Sequence, residues 1–272
     1  YRTIGTPLVG DRLTWFSETR AGLMRLNFPE QTPEQLGFSR AESLAIFGLQ
    51  STRRLDDALE GAGLDEDEVA RFDTRHELDL PMTIGPLDAV PYLVGRFTAY
   101  SDDFEEFGGE DENLRFRGQA GLKLHASFSR TFDNVDNRLL DVHRLRHIVE
   151  PTAHLNFTWT NVEQQDLPVF DFDVESLTEG GVIRLGLRNT LQTQRGGPGQ
   201  WRSVDWLRLD TDFVIADGQT EIESPLARFF DHRPEFSLAG DHFWSELAVR
   251  LPHSRKPCSR IVVATSSDGT SG

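Results

Sequence analysis

The chain is poor in cysteine, in apolar runs and in positive charge. Cys258 is the single cysteine of 272 residues, so no intrachain disulfide can form. No stretch approaches the ~18–20 consecutive apolar residues of a membrane-spanning helix. That excludes a helical membrane protein but not a membrane β-barrel, whose strands alternate apolar and polar residues. Hydrophobic residues are only 38%, which argues against a large, well-filled core. Lys and Arg total 28 against 44 Asp and Glu, a net charge of -16. Phosphate backbones would be repelled, so no nucleic-acid partner is expected. Simple docking on an anionic membrane surface is disfavoured for the same reason. No charged segment followed by an apolar one opens the chain, and Tyr1 is not Met. The sequence therefore reads as a piece of a longer chain, or as a mature form without its upstream part.

What the chain has in quantity is alternation with period two. Residues 114–129 place Leu114, Phe116, Leu122, Leu124 and Phe128 on one face. Arg115, Arg117, Gln119, Lys123 and His125 lie on the other. The same division recurs over 71–80, 151–159, 182–193, 207–215 and 243–251, and more weakly over 20–28 and 89–100. Strands of soluble proteins usually run about 5–6 residues. Two architectures fit: a soluble sandwich or barrel with the apolar face inward, or a membrane barrel with that face toward lipid and the polar face inward. Strand length and the charge density of the polar face favour the second. Leu122, Leu124, Ile183, Leu185, Leu187, Leu209 and Phe213 are then expected to face lipid. Tyr100, Trp159, Trp201 and Trp244 near strand ends would suit interfacial aromatic girdles.

The connections alternate in length. RGGPG at 195–199 is a tight turn signal. Residues 101–113, 161–181 and 216–233 are long and acidic. Short turns on one side and long loops on the other follow the outer-membrane barrel plan. Residues 31–70 break the pattern, with Leu44, Phe47, Leu55 and Leu59 at helical spacing, and predict a partly helical insertion or long loop. Residues 1–252 thus read as one barrel segment and 253–272 as an atypical, flexible tail in which only RIVVAT could be a strand.

Motifs with chemistry are scarce. His143 and His147, four apart, lack further metal ligands. Asp171, Asp173 and Glu175 lack the spacing of a calcium loop and read as a solvated loop face. No nucleophile elbow or phosphate loop is present. No catalytic residue, cofactor or metal is expected, and the chain reads as a non-enzyme.

RLRHIVEP at 144–151 runs into an alternating strand, and DLPVFD follows at 166–171. In that order they resemble the LptD, or organic solvent tolerance, family over about 70–251. The resemblance implies the following. The chain would be part of an outer-membrane β-barrel that takes lipopolysaccharide from a periplasmic bridge to the cell surface. An LptE-like lipoprotein plug would fill the barrel, and an N-terminal periplasmic domain outside this sequence would dock the bridge. A barrel of roughly 26 strands at about 10 residues each, plus the loops that join them, needs well over 272 residues, so only part of one is expected here. Lumen-facing Arg115, Arg117, Lys123, Arg184 and Arg188 are the candidate lipopolysaccharide contacts. Their competing role is charge balance against Asp210 and Asp212. Two other functions stay open: a soluble β-rich carbohydrate-binding module using Trp201 and Trp206, and a passive porin-like barrel.

Overall fold

The structure is a computed structural model that describes residues 1–102, 104–108, 113–171, 173–175, 177, 179–197, 199–217, 241–250 and 259–266. The fold is all-β. The strands are β1 (Arg2–Leu8), β2 (Leu13–Met24), β3 (Val69–Asp79), β4 (Met82–Ile84), β5 (Leu87–Tyr100), β6 (Leu114–Ala126), β7 (Phe128–Asn137), β8 (Val142–Thr160), β9 (Gly180–Arg195), β10 (Arg202–Ala216), β11 (His242–Val249) and β12 (Ser259–Ser266). They form one antiparallel sheet in the order β1-β2-β3-β5-β6-β8-β9-β10-β11-β12. The sheet is open, with β1 and β12 at its edges.

Each alternating segment lies in a strand for most of its length, except that of 20–28 only 20–24 does, in β2. One is interrupted. The alternation of 114–129 is broken at Ser127, and β6 and β7 follow one another along the same side of β8. In the same way β3 and β4 both pair with β5. RLRHIVEP lies wholly inside the 19-residue β8, so His143 and His147 are strand residues, not neighbours on a helix. His143 faces Asp136 and Asp141, His147 meets Asn189, and no metal-binding group occurs among the described residues. RIVVAT belongs to β12, paired with β11, so this part of the compositionally distinct tail extends the sheet. Residues 218–240, and with them most of the third acidic loop, lie outside the described residues, as does Cys258.

The antiparallel order puts the short connections 9–12, 85–86, 138–141 and 196–201 at one end of the sheet. The long connections after β2, β5, β8 and β10 start from strand ends at the other. The first long connection carries α1 (Arg40–Phe47) and α2 (Leu55–Glu60), where helical spacing predicted an insertion. Ser39 and Glu42 form a reciprocal capping box at the start of α1, and Gly48, at φ 66°, ends it. A third helix, α3 (Glu105–Gly108), and a 3-10 turn (Gln164–Asp166) belong to the next two long connections.

The two faces of the sheet have opposite polarity, and it is the charged face that is buried. On β3, Arg71, Asp73, Arg75 and Glu77 are buried while Phe72 and Leu78 are exposed. On β6, Arg115, Arg117 and Gln119 are buried while Leu114 and Phe116 are exposed. Leu93, Leu155, Phe157, Ile183, Leu185, Leu187 and Phe213 continue the exposed apolar face across the sheet. Leu122, Leu124 and Leu209 share that face and are half-buried. Of the four expected girdle aromatics, Trp159 and Trp201 are exposed. Tyr100 and Trp244 are buried instead, because strand parity turns them toward the polar face.

Glycine permits two close contacts between β6 and its neighbours. A Cβ at Gly121 would fall within the Tyr92 ring, and one at Gly118 within the Trp159 ring. Tyr92 cannot retreat cheaply, since its hydroxyl bonds His154 at 2.8 Å and Asn156 at 3.2 Å. Gly121→Val is expected to cost about 1–3 kcal/mol as an overpacking change, seen as a lower urea midpoint. Gly95, with nothing near its Cβ position, should accept alanine with a far smaller change.

Candidate functional site

The polar face is an array of ion pairs set by strand register. Asp73 lies opposite Thr98, with Arg96 on the diagonal. The Arg96 guanidinium donates to both Asp73 carboxylate oxygens at 2.7 and 2.9 Å, and the Thr98 hydroxyl donates to one of them at 2.9 Å. Arg75 pairs with Glu77 at 2.6 Å. On the far side Arg188 lies opposite Asp210 and bonds it at 2.7 Å. Arg184 reaches the diagonal Asp212 at 2.8 Å. Paired positions across a sheet are close enough for this, and a buried charge left unpaired would be costly.

All five sequence-derived cations stand on this face. Arg115 and Arg117 are buried, and Lys123 and Arg184 are half-buried. Arg188 is open, its side chain 45% exposed. They are not gathered at one point. Lys123 and Arg184 flank His154 in one row across β6, β8 and β9, while Arg115 and Arg117 lie toward the long-loop end of β6. Lys123 lies over the Tyr92 ring at 4.6 Å and 3.9 Å from Glu77. The partners of Arg184 and Arg188 are Asp212 and Asp210, the charge-balance partners expected from sequence.

The acidic connection 161–179 is not the solvated loop its composition suggests. It folds onto the polar face. Glu175 is fully buried, 0% exposed, and accepts from Arg71 at 2.7 Å and from the Tyr100 hydroxyl at 3.0 Å. Its other oxygen accepts the Asp171 N–H at 2.7 Å. Asp171 accepts from Arg71 at 3.2 Å and from Arg20 at 3.4 Å. Arg96 donates to the Asp173 carbonyl at 2.8 Å. Arg115 donates to the carbonyls of Val174, Glu175 and Leu177 at 3.1, 3.2 and 2.6 Å. Val162 and Leu167 seal the start of the loop by packing in one buried cluster with Val69, Tyr100 and Phe104. The reversal of expectation has a physical cause: a carboxylate survives burial when several donors converge on it, and the wall supplies them. The alternation of 71–80 puts Arg71 on the polar face, but nothing local pairs it with Glu175, 104 residues away.

The loop has an acid-sensitive anchor. Burial pushes the Asp171 carboxyl up, but the Asp173 N–H and the Arg71 and Arg20 guanidinium groups outweigh it and hold it below its ordinary value. A carboxyl depressed in the folded state contributes stability above its unfolded pKa, about 4, and that contribution is lost as pH falls through the folded value. Protection factors over 161–177, with the intrinsic pH dependence of exchange divided out, should therefore stay high from pH 7 down to about 4 and fall below it. Asp171→Asn should exchange faster at neutral pH and lose part of this pH dependence.

No family model matches the chain, and no curated protein is significantly similar to it.

Proposed function

We propose that this chain forms part of the wall of an outer-membrane β-barrel that takes part in lipopolysaccharide transport and assembly at the cell surface. One observation carries the membrane reading: the sheet's exposed face is apolar, with Leu93 at 58% and Phe157 at 56%, while its charged face is buried. In water this arrangement is upside down. A soluble sheet would turn its arginines to water and cover its leucines with a second layer. In a bilayer it is the expected polarity. Strands of 14, 16 and 15 residues in β5, β9 and β10 exceed the ~9–11 that a tilted membrane strand requires. Short turns at one end and long connections at the other agree with it. In lipid the free backbone groups of β1 and β12 would have to be paired, so further strands complete the barrel in this reading.

Lipopolysaccharide as the cargo is supported by RLRHIVEP and DLPVFD and by the cations of the polar face. An LptE-like lipoprotein and a periplasmic lipopolysaccharide bridge are the partners this implies. Guanidinium groups pair well with phosphate oxygens and an ammonium attracts them as a point charge; Arg188 and Lys123 are the most exposed of the five candidate cations. Photocrosslinking probes at 123 and 188 in the whole protein should capture lipopolysaccharide, and probes at 122 and 185 should capture membrane lipid or nothing. Equal capture from both sets would reject the inside–outside assignment. Lipid capture at 185 with no lipopolysaccharide at 123 or 188 would favour the passive porin-like barrel. A protein soluble without detergent would favour the carbohydrate-binding module.

A further inference from the structure

We infer that Arg20, Arg71, Arg96 and Arg115 form a binding site for a phosphate-class dianion, and that Asp171 and Glu175 are its tethered occupant. The charge count of this part of the wall carries the inference. Four guanidinium groups bond the loop. Two wall carboxylates are bonded to them, Glu18 to Arg20 and Asp73 to Arg96. Among these bonded groups alone, four positive charges would meet two negative ones without the loop, and two would remain; the neighbouring Arg75 pairs with Glu77 and is outside this set. Those two are met by the loop's Asp171 and Glu175.

The geometry is that of anion capture. Arg71 spans both loop carboxylates, at 2.7 and 3.2 Å, as a guanidinium spans the oxygens of one phosphate. The Tyr100 hydroxyl adds a neutral donor to Glu175. Arg115, 2% exposed, has its hydrogen bonds to neutral oxygens: three loop carbonyls and the Thr160 hydroxyl at 3.3 Å. Carbonyl dipoles compensate a buried cation less well than a full negative charge, so Arg115 gains most from an incoming anion. Phosphate, with two charges and several acceptor oxygens, replaces the two carboxylates without changing the net charge. The loop then dissociates from the wall, and its occupancy lowers the site's apparent affinity by the fraction of time it is closed.

This inference stands on the loop and the wall alone and would hold in a soluble sheet too, so its failure is distinct from that of the membrane reading. The test is hydrogen exchange over 161–177 in the unmodified protein in detergent. Inorganic phosphate is compared with chloride at equal ionic strength, and micelles doped with phosphatidic acid are compared with phosphatidylcholine micelles. Faster loop exchange with inorganic phosphate identifies a free anion as sufficient. Faster exchange with phosphatidic acid alone identifies a lipid headgroup. Unchanged exchange with both would overturn the inference, whatever any variant does. As a second measurement, the double variant Asp171→Asn, Glu175→Gln should bind inorganic phosphate about tenfold tighter or more by calorimetry. Adding Arg71→Gln should remove that gain. A folded double variant that binds phosphate no tighter than the unmodified protein would also overturn it.

Discussion

Leu185→Arg is expected to deplete the protein from the outer membrane, whereas Leu185→Phe should leave it in place. Leu185 lies in the middle of β9, between Ala153 of β8 and Phe213 of β10. It is 51% exposed on the apolar face. If that face meets lipid, an arginine near the bilayer midplane costs ~2–4 kcal/mol. If it meets water, an exposed Leu→Arg change falls within about 0.5 kcal/mol of neutral. The two media therefore predict different outcomes for one substitution. The amount of folded protein in the membrane fraction, read by heat-modifiable mobility, is the measurement. Normal assembly of Leu185→Arg would reject the membrane reading. Arg184→Leu is an unsuitable comparison, because it strands Asp212, which is 6% exposed and bonded to Arg184.

Asp73→Ala should be among the most damaging single changes on the polar face. Asp73 is 1% exposed and accepts both arms of Arg96 and the Thr98 hydroxyl. Truncation leaves a buried guanidinium without its counter-charge, which typically costs 3–5 kcal/mol, or about that here. Asp73→Asn keeps the size and some acceptor capacity and should lie between alanine and wild type. Replacing both partners, as Asp73→Leu with Arg96→Met, removes the charge and its desolvation together and should recover most of the loss. Urea midpoints of the four proteins in one detergent check the order. A double variant as unstable as Asp73→Ala would show that the pair's geometry matters more than its charge balance.

Much of this architecture was legible in the residues. Alternation is a local property: in an extended chain successive side chains point to opposite faces, so a run such as 182–193 defines both a strand and its two surfaces. Arg184 and Arg188 could be assigned to one face, and Leu185 and Leu187 to the other, without knowledge of any neighbour. The turn at 195–199 was legible for the same reason, since Gly196 and Gly199 adopt positive φ of 134° and 80°. The break at Ser127 was not, because alternation continues through it on both sides.

By itself, then, the sequence determined most of the long strands, their faces, the alternation of short and long connections, and the helical insertion, while β1, β4 and most of β7 carried no such signal. Tertiary structure decided what the faces meet. Tyr100 and Trp244 stand on the polar face by strand parity, and only the folded sheet shows that this face is the buried one. Loop 161–179 folded back because Arg20, Arg71, Arg96 and Arg115, contributed by four different strands, converge only once β2, β3, β5 and β6 are adjacent. A composition of acidic residues reports a preference for water. Whether a particular carboxylate leaves water depends on how many donors surround it, and those donors come from distant positions that only the folded sheet brings together.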